Sequence, residues 1–79
     1  MNLTPAAVCD GGTLDCNSGL LIAIRRALNG IAVGEILEIR SQAPSVAVDL
    51  PAWCGMAGHR LEQVTHSGST ASYFVRRGR

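Results

Sequence analysis

The sequence predicts an α/β fold, a two-layer sandwich in which two helices cover one face of a mixed four-stranded sheet. The strand-like and helix-like patterns follow the order β-α-β-α-β-β, and the last two strands, residues 59–66 and 71–77, flank a glycine-containing turn typical of a hairpin. A strand, crossover helix and strand most simply form a parallel right-handed unit, to which the hairpin adds antiparallel pairing. Because 79 residues suffice for only one core, we expect a single domain over residues 1–79.

A glycine-containing loop separates the first predicted strand from the first predicted helix. The β-prone run from Ala6 to Asp10 forms the strand, and a double glycine, Gly11 and Gly12, follows it. From Leu20 to Leu28, the apolar residues at positions 20, 21, 24 and 28 fall on one face at helical spacing. This is the clearest periodic pattern in the chain and predicts an amphipathic helix.

Capping residues are expected at both ends of this helix. Asn17 or Ser18 is suited to cap the N-terminus, because both side chains accept hydrogen bonds from free backbone N–H groups. Arg25 and Arg26 suit the last turns, where the helix dipole favours positive charge. Gly30 is placed to end the helix.

The middle of the chain predicts a second strand and a second helix. Gly34–Ser41 opens with a turn glycine and alternates apolar with charged residues, as a half-buried strand does. Pro44–Gly58 predicts a helical segment with Ser45 as its candidate cap. We expect Pro51 to break or restart this helix, with Asp49 capping the restarted piece.

Composition and charge exclude several classes of protein. The chain is 47% hydrophobic and 16% charged with a net charge of +1, which indicates a compact fold without a strong field for nucleic acid or membranes. We expect a cytoplasmic protein, since no segment has the features of a signal peptide or reaches about 18 apolar residues. Three cysteines leave at least one thiol free. Arginines near the end of the chain are typical of a solvated strand terminus: Arg76, Arg77 and Arg79.

Cys16 stands immediately before the first predicted helix and is the main candidate for chemistry. With Asn17, Ser18 and Gly19 beginning the helix, its thiol would lie beside N–H groups that lack intrahelical acceptors. These donors and the helix dipole stabilise a thiolate, and helix N-termini can lower a cysteine pKa from about 8.5 to between about 3.5 and 7.5. Gly19 also keeps the turn free of bulk. The pattern therefore predicts a reactive, partly exposed thiol.

Other roles for the cysteines and histidines stay open from the residues alone. Cys16 also fits a small core residue beside an apolar run, or a transient disulfide with Cys9. Cys54 is a candidate second, resolving thiol, although packing within the second helix is the simpler role. His59 and His66 are candidates for assisting proton transfer. The chain has no C-x-x-C pair, so we predict neither a metal nor another cofactor.

Several stretches of the chain resemble the TusA/SirA family of sulfur carriers. The resemblance extends from about Val8 to Arg77 and rests on Cys16, on the "DLPAWC" and "GHRL" motifs of Asp49–Leu61, and on the terminal "SYFVRR". It implies a sulfur carrier or sulfurtransferase, without cofactor, that holds sulfane sulfur on Cys16 as a persulfide and relays it from a protein donor to a protein acceptor. Such members serve tRNA thiolation, sulfur oxidation or cofactor sulfur supply. We expect a monomer that contacts neither nucleic acid nor membrane directly.

The chain departs from the family pattern at the cysteine itself. The family's Cys-Pro-x-Pro is Cys16-Asn17-Ser18-Gly19 here, which resembles a divergent branch with a Cys-x-Ser-Gly-Leu-Leu pattern. Proline presets the first turn of a helix, so its loss leaves a looser turn and an additional N–H group at two positions. Two alternatives therefore stay open beside the carrier. One is a non-catalytic interaction or regulatory module of the same fold, and the other is a redox protein that pairs Cys16 with one of the other cysteines.

Overall fold

The computed structural model describes residues 4–13 and 19–79, and its elements follow the predicted order β-α-β-α-β-β. Neither helix in these two ranges has the length and apolarity needed to cross a bilayer. The elements are β1 (Ala7–Gly12), α1 (Leu20–Asn29), β2 (Ile36–Ser41), α2 (Val46–Ala57), β3 (Arg60–Ser67) and β4 (Thr70–Arg76).

The four strands form one mixed sheet in the order β1-β2-β4-β3. β1 and β2 pair in parallel, with Cys9 opposite Ile39, whereas β4 pairs antiparallel with both β2 and β3. The crossover through α1 explains the parallel pair, and the hairpin explains the antiparallel one. Gly68 has a φ of 60° at the first position of the two-residue hairpin loop, as a type II′ turn requires. The predicted mixed sheet is confirmed.

Both helices contribute to one core on a single face of the sheet. Leu37 and Ile39 of β2 are fully buried, and their partners on β4, Val75 and Tyr73, continue the same row of side chains. The opposite face carries the alternating residues, including Phe74. The two helices cover the core row and complete the predicted two-layer sandwich. Their buried residues are Leu20, Ile24 and Leu28 from α1 and Val46, Leu50 and Cys54 from α2.

The start of α1 differs from the sequence prediction. Gly19, rather than Asn17 or Ser18, holds the N-cap position, and no side chain caps the helix there. The φ of Gly19 is 96°, a left-handed conformation that glycine adopts without the steric cost of a Cβ. Asn17 and Ser18 lie outside the described residues. At the other end Gly30 is the C-cap residue, as predicted.

α2 runs without interruption through Pro51, where the sequence predicts a break. A proline inside a helix removes one backbone hydrogen bond, but the chain on both sides of Pro51 is held by burial of Leu50 and Cys54 against the sheet. Tertiary packing therefore outweighs the local preference. Asp49 lies in the first turn of the continuous helix instead of capping a second piece, and Ser45 occupies the predicted N-cap position.

Candidate functional site

Cys16 belongs to residues 14–18, which lie outside the described residues, but both flanks of this segment are placed. One flank is the end of β1, and the other is Gly19 at the start of α1. Leu20 packs directly over Gly11, so closely that a Cβ added to Gly11 would lie 2.7 Å from Leu20 Cδ1. The two flanks therefore meet at the edge of the sheet where β1 and β2 end. We call this edge, with Gly12, Gly19 and Ser41, the upper edge.

α1 directs its first backbone N–H groups toward the upper edge. The first turn contains no acidic residue, so no side chain of the described helix offsets the positive end of its dipole. Because α1 begins at Leu20, three residues separate Cys16 from the helix, whereas the sequence predicts direct adjacency. The helix end still favours a negative charge placed beside it, and a thiolate carries such a charge.

Polar groups surround the point where β1 leaves the sheet. The N–H of Gln42 donates to the carbonyl oxygen of Gly12 at 2.7 Å, and the N–H of Gly12 donates to Asp10 Oδ1 at 3.1 Å. Beside them lies a cavity of about 260 Å³, whose lining includes Arg40 and Thr70. A molecule that approaches the upper edge from the open face of the sheet therefore meets hydrogen-bonding groups.

The two described cysteines are poorly placed for exchange chemistry. Cys54 is 2% exposed within the core, and burial raises its pKa to about 11. Cys9 is partly buried, and this burial, followed by the negative charge of Asp10, raises its pKa as well. A thiol attacks as its thiolate, so both groups are weak nucleophiles at neutral pH. These surroundings favour the packing role of Cys54 over the resolving role.

The histidines lie at opposite ends of the sheet. His66 of β3 pairs with Ala71, and Ala71 pairs with Ser41, so His66 is at the upper edge and its side chain is exposed. Three strand-to-strand spacings nevertheless separate β3, which carries His66, from β1, a distance of roughly 14 Å. His59 precedes the start of β3 at the opposite end. The described part of the chain contains no cluster of three or more histidine, cysteine, aspartate or glutamate side chains arranged to hold a metal ion.

Comparison with known proteins relates this chain to sulfur carrier proteins. Residues 19–77 match the family model described as sulfurtransferase TusA. The sulfur carrier protein TusA of Pseudomonas putida strain GB-1 is 29% identical over 76 residues, covering 96% of this chain and 94% of that protein. The putative sulfur carrier protein YrkI of Bacillus subtilis strain 168 is 28% identical over 58 residues, or 73% of this chain and 77% of the relative. A putative sulfur carrier protein of Archaeoglobus fulgidus is 39% identical over 46 residues, which is 58% of this chain and 63% of that protein.

Cys16 lies outside the range of the family match. The match covers α1 to β4 and begins at Gly19, three residues after Cys16. The similarity to the Pseudomonas putida protein is longer and takes in 96% of the chain. The predicted resemblance to the family is thus confirmed, mainly by the part of the chain that builds the helices and the sheet.

Proposed function

The chain belongs to the TusA family of sulfurtransferases, and we propose on that premise that it carries sulfane sulfur on Cys16 and relays it to a partner protein. The observation that supports Cys16 is the position of its two flanks. The chain enters this segment from the end of β1 and leaves it at the uncapped N-terminus of α1. A cysteine in such a segment has a helix dipole nearby to stabilise its thiolate.

The proposed loading step is a thiol exchange that balances without a redox partner. The Cys16 thiolate attacks the terminal sulfur of a donor persulfide, a new sulfur–sulfur bond forms, and the donor's sulfur–sulfur bond breaks. The donor leaves as a thiolate, and Cys16 holds the terminal S–H group. In the second step an acceptor thiolate attacks that terminal sulfur and Cys16 leaves as a thiolate. The helix end stabilises Cys16 in both steps, since it is the anion before the first and after the second.

The partners of this reaction are proteins that present a persulfide or accept one. Exchange requires reduced thiols, so we place the carrier in a reducing compartment, the cytoplasm. A monomer suits the role, because Cys16 must face a donor and an acceptor in turn.

Loss of sulfur loading in Cys16→Ser is the expected result of the direct test. The purified protein is incubated with polysulfide, and its intact mass is measured before and after reduction. We expect the wild type to gain one sulfur atom that a reductant removes, and we expect no gain in Cys16→Ser. The matched control is the double variant Cys9→Ala/Cys54→Ala, which keeps Cys16 and should load normally. Loading of Cys16→Ser, or no loading of the folded wild type, would show the proposal to be wrong.

Thiol alkylation against pH tests the charge state of the same residue. We expect Cys16 in the native protein to alkylate with an inflection below the free-cysteine value of about 8.5. Cys54, with a pKa of about 11, is a thiolate in roughly one molecule in ten thousand at pH 7 and should react only after unfolding. Peptide mapping separates the two signals. Equal native labelling of both cysteines would contradict the assignment, and loss of two hydrogens on mild oxidation would favour the redox alternative.

A further inference from the structure

A cavity lies at the lower end of the helix layer, away from the upper edge, and we propose that it binds a small oxyanion of the phosphate or sulfate type. The cavity has a volume of about 320 Å³ and is lined by the last turns of both helices and by the chain that follows β4. Arg25 and Asn29 come from α1, Trp53 from α2, and His59 and Arg79 from the two segments beside β3 and β4. We call this set the basal cavity.

The charged side chains that line the basal cavity are both positive, and they offset the negative dipole ends of the two helices that finish there. Two guanidinium groups, those of Arg25 and Arg79, line it together with no acidic side chain of the described chain. Arg25 forms no hydrogen bond or ion pair with another described side chain, and Arg79 donates only through Nε, to the carbonyl oxygen of Ala57 at 3.0 Å. Three of the other arginines form ion pairs with glutamates, namely Arg40, Arg60 and Arg76. The free N–H groups of two guanidinium ions suit an oxyanion, which accepts several hydrogen bonds at once.

His59 and Asn29 add uncharged donors to the same cavity. His59 Nδ1 accepts a hydrogen bond from the Gly78 N–H at 3.0 Å, so the neutral imidazole carries its proton on Nε2. Partial burial, and then the positive charges of Arg79 and Arg77, lower the pKa of His59. The ring is therefore neutral at pH 7 and can donate through Nε2, and an anion beside it would offset the smaller contribution that the two arginines make to the lowered pKa.

The chain after β4 is fixed in place, so the basal cavity is preformed. Arg77 accepts a hydrogen bond from the Gly34 N–H at 2.8 Å and its side chain donates to the Ile31 carbonyl oxygen. Gly78 approaches the Gly58 backbone so closely that any Cβ would collide with it. Because these contacts hold Arg79 beside α2 before any ligand arrives, binding does not have to order the segment.

Trp53 makes the binding measurable. Its ring centroid lies 5.6 Å from that of His59, and it is the one tryptophan in the sequence. We expect a saturable change in its fluorescence during titration with inorganic phosphate or sulfate, and none with chloride at equal ionic strength. Separate arms with phosphate, sulfate and acetate distinguish a phosphate or sulfate ligand from a carboxylate. No saturable response up to about 10 mM phosphate or sulfate would overturn the proposal.

Neighbouring arginines of α1 supply a matched pair of variants. Arg25→Gln removes one guanidinium from the basal cavity and should weaken phosphate binding at least about tenfold. Arg26→Gln removes the same charge from the next residue, which is exposed and does not line the cavity, so affinity should change less than about twofold. Equal weakening in both variants would indicate attraction to net charge, and the proposal would fail.

A second readout separates this site from the proposed sulfur chemistry. In NMR titrations, phosphate should raise the pKa of His59 and leave the ring resonances of His66, at the upper edge, unchanged at fixed pH. Cys16→Ser should bind phosphate as tightly as the wild type, even if sulfur loading is lost. If phosphate instead shifted His66, or if binding required Cys16, the anion would be at the upper edge and not in the basal cavity.

Discussion

Replacement of Leu50 by alanine should lower the free energy of unfolding by about 2 to 5 kcal/mol. Leu50 is fully buried in the core between α2 and the sheet, so truncation removes apolar contacts and leaves a cavity. α2 depends on such contacts unusually strongly, because Pro51 removes a hydrogen bond inside the helix. A chain of 79 residues has a total stability of about 4 to 12 kcal/mol, so this variant loses a large share of it.

Urea denaturation measures the loss, and Val48→Ala is the control on the same helix. Val48 is 75% exposed, so its truncation leaves no cavity. Alanine favours a helix more than valine does, and the free energy of unfolding should therefore rise by less than about 0.6 kcal/mol. The Leu50→Ala variant should also label at Cys54 faster at neutral pH, because its unfolded fraction is larger. A loss below about 1 kcal/mol for Leu50→Ala would mean that the buried face does not hold α2 in place.

The fold was predictable because its signals are local in the sequence. The alternation that contains Leu37 and Ile39, and the glycine in the hairpin turn, each determine one element and the face that it buries. The sequence predicts a break in α2 because a proline inside a helix removes a local hydrogen bond, whereas the burial of Leu50 and Cys54 is a property of the assembled layers. Sequence patterns therefore predict elements well wherever packing and local preference agree.

The basal cavity could not be predicted, because its members are distant along the chain. Arg25, His59 and Arg79 come together only after α1, α2 and the segment beyond β4 pack side by side. The predicted solvated arginine terminus is observed only in part, because two of its partly exposed arginines also make contacts within the fold. Arg76 pairs with Glu62 at 3.4 Å and Arg77 donates to a backbone carbonyl. The Cys16 motif differs from the basal cavity in this respect, because its residues are neighbours in the chain and can be recognised from the sequence.

Opposite effects of one substitution at two glycines provide the sharpest test of how the upper edge is built. An alanine Cβ at Gly11 would lie 2.7 Å from Leu20 Cδ1 and 3.2 Å from the Arg40 carbonyl oxygen. Leu20 is fully buried and cannot swing away, so Gly11→Ala should cost about 1 to 3 kcal/mol through overpacking. Relief of the clash moves the start of α1, and with it the segment that carries Cys16. We therefore expect slower sulfur loading even under conditions where the variant is folded.

Gly55→Ala is the comparison that isolates this clash. Gly55 lies inside α2, an added Cβ would have no described atom within 4 Å beyond its chain neighbours and the backbone of its own helix, and its φ is not positive. Alanine there should raise stability by about 0.5 to 1 kcal/mol, because it favours the helix and restricts the unfolded chain. Loading at Cys16 should stay at the wild-type rate, since α2 residue 55 is remote from the upper edge. If both variants gained stability, Leu20 would not pack closely against β1. The position of α1 would then no longer support a role for Cys16.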